Sequence, residues 1–243
     1  MYSLIATLSV FVSAYLAEYI ARREKLKFAD RLWEIILMVL LFGVIGARIY
    51  HVVDLIDYYK LNPLQILNFR AGGLGIYGGL IGGFIGTYIA SKIFTFNFNK
   101  ILDLFAIVLP LGQAVARWGN YFNFELYGKP YNGLLRLYIP SVYRKSGFEN
   151  ISYYHPLFLY ESALSILLFL IVFYCYKKSK FKIGSKNFFY LYILGYGIIR
   201  YTLESLRINP WVWNNINIAT LVSLCLITIG SIGLVIKLNY KVI

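Results

Sequence analysis

Charged residues are scarce in this chain, and acidic residues are the scarcest. Of its 243 residues 14% are charged, with 24 Lys and Arg against 11 Asp and Glu, while 59% are hydrophobic. A water-soluble domain could not cover its surface with so few charges, so the composition excludes that class and predicts a polytopic membrane protein. The net charge of +13 is interpreted as a topology signal, and nucleic acid is not expected as a partner.

Cysteine and histidine are almost absent as well. The two cysteines, Cys175 and Cys225, lie inside apolar runs, and the two histidines are His51 and His155. Cysteines placed in this way offer neither a disulfide framework nor a metal site. No cluster of His, Cys and acidic residues has the spacing of metal ligands. The sequence therefore predicts no metal and no cofactor.

Long apolar runs are abundant instead. A run of about 20 apolar residues can cross the roughly 30 Å hydrocarbon core of a bilayer. Seven runs are predicted to do so: Tyr2 to Ala21, Trp33 to Val53, Gly73 to Phe94, Ile101 to Trp118, Pro156 to Tyr176, Phe188 to Leu203 and Ile216 to Ile236. The predicted fold is an all-α polytopic membrane protein with about seven transmembrane helices, forming a single integral membrane domain over residues 1–243.

Basic residues between the runs predict the orientation. With the N-terminus outside, the cytoplasmic segments carry 14 Lys and Arg and the outer segments carry 7. Because Lys and Arg collect on the cytoplasmic side, this bias places the N-terminus outside and the C-terminus in the cytoplasm. The first run also precedes its basic cluster, the reverse of the order in a cleaved signal peptide. The longest outer segment, 119–155, is predicted to form a small extracytoplasmic subdomain.

Three arginines lie within or at the rim of the predicted spans, toward the outer leaflet: Arg48, Arg117 and Arg200. Charges at this depth are costly and are functional by default. The abundant anion there is a lipid phosphate, which a guanidinium can hold through two hydrogen bonds. Function is therefore predicted where lipid head groups meet the protein. The alternative is that Arg117 and Arg200 only snorkel or pair with acidic residues: Glu125, Glu161 or Glu204.

The stretch 72–86 is rich in glycine and contains a literal G-x-G-x-x-G. It opens an apolar span and not a βαβ unit, so it is a weak dinucleotide-binding signal. Two stripes have four-residue spacing: Gly75, Gly79 and Gly83, and then Gly78, Gly82 and Gly86. Small residues at this spacing allow helices to approach closely in lipid. We expect a helix-packing surface, with a phosphate cradle as the alternative.

The segment from Arg117 to Gly128 resembles the signature of bacterial prolipoprotein diacylglyceryl transferases. These membrane enzymes move diacylglycerol from phosphatidylglycerol to a lipoprotein cysteine. Supporting segments follow in the family's order over essentially the whole chain: Gly46 to Tyr50, the glycine run through Tyr77, His155-Pro156 with Tyr160-Glu161, and Tyr196 to Arg200 followed by Glu204 and Arg207.

The resemblance implies what the protein does and where. It implies a transferase of the bacterial cell (inner) membrane that catalyses the first step of lipoprotein maturation without a cofactor. The implied partners are phosphatidylglycerol, the signal peptides of prolipoproteins with their lipobox cysteine, and membrane lipids. Family members also have seven helices and an outer N-terminus, in agreement with the hydropathy and the charge bias.

The resemblance also implies the site residues. Arg117 and Arg200 would contact phosphate or substrate, and Arg48 and Tyr2 would bind substrate; Tyr2 matches an essential tyrosine of the first helix. Essential polar roles fall to four further residues: Asn120, Glu125, Gly128 and Glu204. Of all these, Arg117, Arg200, Glu125 and Glu204 are the predicted catalytic residues, together with Tyr77.

Tyr77 marks a departure from the family pattern. Many members have a histidine there, proposed as the base. A phenol with its ordinary pKa of about 10 is a poor base at neutral pH. Tyr77 is therefore predicted to bind or orient substrate, and the base is unassigned.

Two other function classes stay open on the sequence alone. A transporter or channel also buries arginines, although the glycine run has no counterpart in the second half of the chain, as an inverted repeat would require. A non-catalytic lipid-binding scaffold is the other alternative.

Overall fold

The structure is a computed structural model that describes residues 1–68, 72–178 and 180–239, without the side chains of 237–239. Within these residues the α-helices are α1 (Tyr2–Arg23), α2 (Leu32–Asp54), α3 (Ile56–Leu61), α4 (Ile76–Ile93), α5 (Phe98–Phe122), α6 (Leu157–Lys177), α7 (Asn187–Glu204) and α8 (Ile218–Asn239). Two antiparallel ribbons pair β1 (Leu137–Tyr138) with β2 (Tyr153–Tyr154) and β3 (Val212–Trp213) with β4 (Ile216–Asn217). The predominance of helix is confirmed, and each strand has only two residues.

A helix stands at each of the seven predicted apolar runs. Among the described residues, five helical segments are long and apolar enough to cross a membrane: Tyr2–Arg23, Ala29–Asp54, Phe98–Phe122, Leu157–Lys177 and Ile218–Ile236. The protein is therefore a multi-pass membrane protein. The other two runs form α4 and α7, each of 18 residues and outside this group of five. The count of seven spans and the orientation stay predictions.

Contacts divide the chain into two compact units, and the first is Glu18–Ile101. In it, α2 and α4 pack closely through the second glycine stripe, where Gly78, Gly82 and Gly86 are buried. A Cβ atom at Gly86 would lie 2.8 Å from a side chain of α2, and one at Gly75 would overlap the ring of Tyr50, whereas one at Gly79 or Gly83 would have ordinary contacts with α2 at 3.6 or 3.7 Å. Both stripes therefore face α2, and the close approach requires glycine throughout the second stripe and at Gly75.

The second unit contains Met1–Ala17 and Leu102–Ile243. Its helix α7 packs against α6 and α8. Glycines allow the close approach to α8, since a Cβ atom at Gly230 would lie 2.7 Å from the Cβ of Leu194. Cys175 and Cys225 are free thiols in this unit.

The segment 119–155 has a small hydrophobic core of its own, joined by one residue from beyond α7. The buried members are Tyr127, Ile139, Tyr154 and Ile208. Two of their hydroxyls are satisfied by backbone carbonyls: Tyr127 donates to Tyr143 and Tyr154 donates to Ile151, each at 2.8 Å. This core fixes the backbone that follows Arg117 and the backbone that precedes α6.

Candidate functional site

Three arginines and two glutamates meet where α5 and α7 end and α6 begins. We call Arg117, Glu161, Arg200, Glu204 and Arg207 the arginine–glutamate cluster. Glu161 is its centre: it accepts a hydrogen bond from Arg207 Nη2 at 2.8 Å, pairs with Nε of Arg117 and lies 3.6 Å from Nη1 of Arg200. Glu204 pairs with Nη2 of Arg200 at 3.0 Å and with Nε of Arg207 at 3.6 Å.

Helical spacing explains part of this arrangement. Arg200 and Glu204 are four residues apart, so they project from one side of the end of α7. Arg207 lies beyond the end of that helix, where its backbone pairs with Gly128, and its side chain reaches both glutamates from there. Glu161 reaches them from another helix. An acidic side chain in the apolar α6 is costly unless it is paired, and here three guanidinium groups pair with it.

The cluster has one more positive charge than negative charges. Its carboxylates are the inner groups, with 7% and 4% of the Glu161 and Glu204 side chains exposed, and its arginine side chains are more open at 18 to 24%. Nη1 of Arg200 and Nε of Arg207 are buried and face carboxylate oxygens at 3.6 Å, too far for a hydrogen bond. The excess positive charge on partly open arginine side chains suits a further anion, and a guanidinium can hold a phosphate in bidentate fashion.

Asn120 extends the cluster along the chain. It is 5% exposed, accepts a hydrogen bond from Nη1 of Arg117 at 3.4 Å and donates to Glu125 at 2.9 Å. Glu125 itself is exposed. The predicted site residues Arg117, Asn120 and Glu125 are thus joined by a series of polar contacts, in which Asn120 lies between the guanidinium of Arg117 and the carboxylate of Glu125.

Gly128 lies where three backbone segments meet. Its N–H donates to the carbonyl of His155 at 2.9 Å, and it pairs in antiparallel fashion with Arg207. The next residue, Lys129, donates to the carbonyl of Leu206 at 2.8 Å. A Cβ atom at Gly128 would lie 2.8 Å from the Cβ of His155, so only glycine fits without displacing a neighbour. Gly128 therefore fixes the backbone that carries Arg207.

His155 lies at the start of α6, between two tyrosines. Its ring stacks on Tyr131 with centroids 4.0 Å apart, and its Nδ1 is 3.4 Å from the hydroxyl of Tyr160. Burial lowers the pKa of His155 below its ordinary 6.5, so the imidazole is neutral at neutral pH.

Tyr2 lies at the start of α1 and packs on Gly119, where a Cβ atom would be 2.9 Å from its ring. Nearby, an apolar cavity of about 290 Å³ opens between α1, α5 and α6. Its walls include Ile5, Trp118 and Ile166. This cavity is suited to hydrocarbon and not to a polar ligand.

Arg48 and Tyr77 belong to the Glu18–Ile101 unit. Arg48 is 5% exposed, and its guanidinium donates to the backbone carbonyls of Gln65, Ile66, Asn68, Gly72 and Gly73. It thereby holds the segment that leads into α4. Tyr77 is half-buried in the first turn of α4, with its ring 6.1 Å from that of Tyr50.

Comparison with known proteins decides the family. The family model described as prolipoprotein diacylglyceryl transferase matches residues 1–236 of this chain. The chain belongs to this family. Its relatives include the phosphatidylglycerol–prolipoprotein diacylglyceryl transferases of Fervidobacterium nodosum, Thermotoga maritima and Finegoldia magna, which are 39%, 35% and 34% identical to it.

The coverage differs among these relatives. The alignments span 78%, 97% and 99% of this chain, respectively. They span 80% of the Thermotoga relative and 90% of the Finegoldia relative, but 64%, less than two thirds, of the Fervidobacterium relative's own length.

The structure brings together most of the site residues predicted for this family member, and it adds two. Glu161 and Arg207 were recognised as parts of supporting segments and not as site residues, yet each contacts two or more charged members of the cluster. Glu161 could have been found from the sequence, because an acidic residue within the apolar run of α6 indicates a functional or paired charge. Arg117 and Arg200 do form ion pairs with glutamates, as in the alternative of simple pairing, and these pairs leave the cluster with one unbalanced positive charge.

Proposed function

We propose that this protein transfers the diacylglyceryl group of phosphatidylglycerol to the lipobox cysteine of prolipoproteins, the first step of lipoprotein maturation. The proposal rests on the arginine–glutamate cluster, which combines three partly exposed arginines with two buried glutamates and so has one excess positive charge. A phosphodiester head group is the anion that this arrangement and the membrane location fit together. The names of the relatives give the same two substrates.

The reaction requires one bond exchange. The thiolate sulfur attacks the glycerol carbon that bears the phosphate, the carbon–oxygen bond breaks and a thioether forms. Glycerol phosphate departs with the electron pair, and the thiol proton goes to solvent. Negative charge grows on the departing phosphate, where preorganised guanidiniums stabilise the transition state. Loss of one such donor lowers turnover by about 10² to 10³-fold.

Arg117 and Arg200 are assigned to the phosphate in this mechanism. Glu204 holds Arg200, and Asn120 with Glu125 holds Arg117, so that the fork of each guanidinium is fixed before substrate arrives. These residues therefore act as electrostatic and positioning groups, and no proton transfer is assigned to them.

The remaining predicted site residues have supporting roles. We assign Tyr2 and Arg48 to substrate binding, Gly128 to the close backbone approach at the site, and Tyr77 to binding or orienting substrate through its hydroxyl. The apolar cavity beside α1 supports a lipid substrate, since it offers hydrocarbon a place next to the helices that carry Arg117 and Glu161.

The proposal includes a topology. Seven spans, an outer N-terminus and a cytoplasmic C-terminus would form one integral membrane domain over residues 1–243, in the bacterial cell membrane. The segment 119–155 would then face outward, on the side where exported precursors carry their lipobox. The charge bias of 14 to 7 supports this orientation.

The test is a transfer assay with purified protein, labelled phosphatidylglycerol and a lipobox peptide, in which mass spectrometry detects the thioether product. A peptide with serine in place of cysteine controls for the thiol. Arg117→Ala and Arg200→Ala should each lose about 100-fold or more in turnover, and Arg→Lys should recover part of it, because lysine keeps the charge but not the fork. Arg136→Ala is the matched control, since Arg136 is exposed in the same outer segment and lies over the ring of Tyr153.

The assay also separates the alternatives. Binding of phosphatidylglycerol without any thioether product would contradict the proposal and support a lipid-binding scaffold. Movement of labelled lipid or solute across a vesicle without product would support a transporter.

A further inference from the structure

Asp103 is a fully buried carboxylate that the proposed mechanism does not use. It lies near the start of α5, and its side chain accepts three backbone hydrogen bonds, two from the segment that precedes α7 and one from the first turn of α7. Its Oδ2 accepts from Gly184 at 2.8 Å and from Lys186 at 2.9 Å, and its Oδ1 accepts from Phe189 at 3.0 Å.

The backbone around Asp103 is shaped to receive it. Gly184 and Lys186 both have positive φ angles, 99° and 69°, which turn their N–H groups toward the carboxylate. Phe189 is the third residue of α7, so its N–H is one of those that lack a partner inside the helix. A negative charge at this end also suits the helix dipole. Asp103 therefore caps α7 from a different helix.

The same two helices meet again at the cluster. Arg117 follows Asp103 by 14 residues in α5. Arg200 in α7 follows Lys186, the residue immediately before that helix, also by 14 residues. At 1.5 Å per residue, both intervals correspond to about 21 Å. Both arginines then contact the same carboxylate, that of Glu161. The two helices thus run parallel from one shared contact to another.

A polar contact lies between these two ends. Nε2 of Gln113 in α5 donates to the hydroxyl of Tyr192 in α7 at 2.8 Å. A carboxylate held by three N–H donors fixes one axial position, because each of these hydrogen bonds has a defined length and direction. Asp103 supplies this contact at one end of the two helices, and Gln113 supplies a neutral contact between the ends.

From these contacts we propose that Asp103 is a positioning residue that sets the axial register of α7 against α5, and so places Arg200 level with Arg117 for phosphate. This inference rests on the proposed function for its catalytic consequence. The register itself is a structural property and can be measured without activity.

The kinetic test uses Asp103→Ala and Asp103→Asn at equal membrane abundance. A shift of about 1 Å in reacting groups can cost about 100-fold, so Asp103→Ala should lower kcat/KM by about that factor, and Asp103→Asn should recover part of it through its amide oxygen. In an Arg200→Ala background, Asp103→Ala should add less than about threefold, because the group it positions is gone. Ser223→Ala is the control: Ser223 is fully buried and donates a hydrogen bond to Ala219 in its own helix, so its loss should leave turnover unchanged.

The structural test measures the register directly. Spin labels at Leu109 of α5 and Ile198 of α7, both more than 40% exposed, report the distance between the helices, with Cys175 and Cys225 replaced by serine. Asp103→Ala should shift or broaden this distance by at least about 1.5 Å, the rise of one residue, and Ser223→Ala should not.

The outcomes separate the two hypotheses. If wild-type protein gives no thioether product, the proposed function fails, while the label distance still decides the register. An unchanged distance in Asp103→Ala would overturn the positioning role. The positioning role would also be overturned if the fall in kcat/KM of the double variant equalled the product of the falls in the two single variants. Independent losses of this kind would indicate general damage to the fold.

Discussion

Replacing Glu161 by glutamine is the most direct perturbation of the arginine–glutamate cluster. The change keeps the shape of the side chain but removes the carboxylate that all three arginines share. Removing one partner of a buried ion pair costs about 3 to 5 kcal/mol. Because the arginine side chains are 18 to 24% exposed and their charges are partly screened, we expect the lower end, about 3 kcal/mol.

This loss should be visible as a fall in the apparent unfolding temperature. For a chain of this size, 1 kcal/mol corresponds to about 2 to 4 °C, so the expected shift is about 6 to 12 °C. The measurement is tryptophan fluorescence of the detergent-solubilised protein during heating. Glu34→Gln is the matched control, since the pair of Glu34 with Arg31 is more than half exposed and should contribute less than about 1 kcal/mol.

Anion binding provides the second readout. Without the Glu161 carboxylate, the three guanidiniums have fewer internal partners and should bind inorganic phosphate more tightly. A ligand that binds only the folded state stabilises it by RT ln(1 + [L]/Kd), so phosphate should raise the unfolding temperature of Glu161→Gln more than that of the wild type. Equal unfolding temperatures for Glu161→Gln and Glu34→Gln, with no added effect of phosphate, would refute the reasoning.

Three further predictions concern topology, Tyr77 and His155. A reporter that is active only outside the cytoplasm should be active when fused within 119–155 and inactive after Lys178; the opposite pattern would contradict the orientation. Tyr77→Phe should lower turnover by an amount equivalent to one lost hydrogen bond, about 1 to 3 kcal/mol. The increase of turnover with pH, which thiol ionisation sets, should remain. Tyr77→His should stay active, and pH–rate profiles of the wild type and the two variants test these expectations. Because burial in the folded protein lowers the pKa of His155, the stability of the protein should fall as the pH falls from the ordinary 6.5 through the lowered value. Unfolding temperatures measured between about pH 7.5 and 5 should show this fall, and His155→Gln should reduce it.

The sequence by itself determined the class of the protein and the position of its helices. Apolar runs are a local property, so each predicted run coincides with a helix, and a chain with so few charges can only be a membrane protein. The glycine stripe of α4 was predictable for the same reason, since four-residue spacing fixes one helical face. Which of these glycines would make the closest contacts with α2 was not predictable from spacing alone.

The signature segment also determined part of the site. Arg117, Asn120 and Glu125 are close in sequence, and their contacts follow from the end of one helix and the turn after it. Arg48 shows the limit of this reasoning. Its guanidinium donates to five backbone carbonyls, a set of contacts that no local pattern in the sequence predicts, while its role in substrate binding stays a prediction.

Only the tertiary structure decided that Glu161 is the centre of the cluster and that Asp103 joins α5 to α7. Both contacts link residues more than 40 positions apart: 46 separate Arg207 from Glu161, and 81 separate Gly184 from Asp103. An acidic residue in an apolar run indicates that its charge is paired in the folded protein, because an isolated charge in hydrocarbon is costly. The partner is chosen by how the helices pack, and that choice depends on interactions among segments that no local pattern encodes.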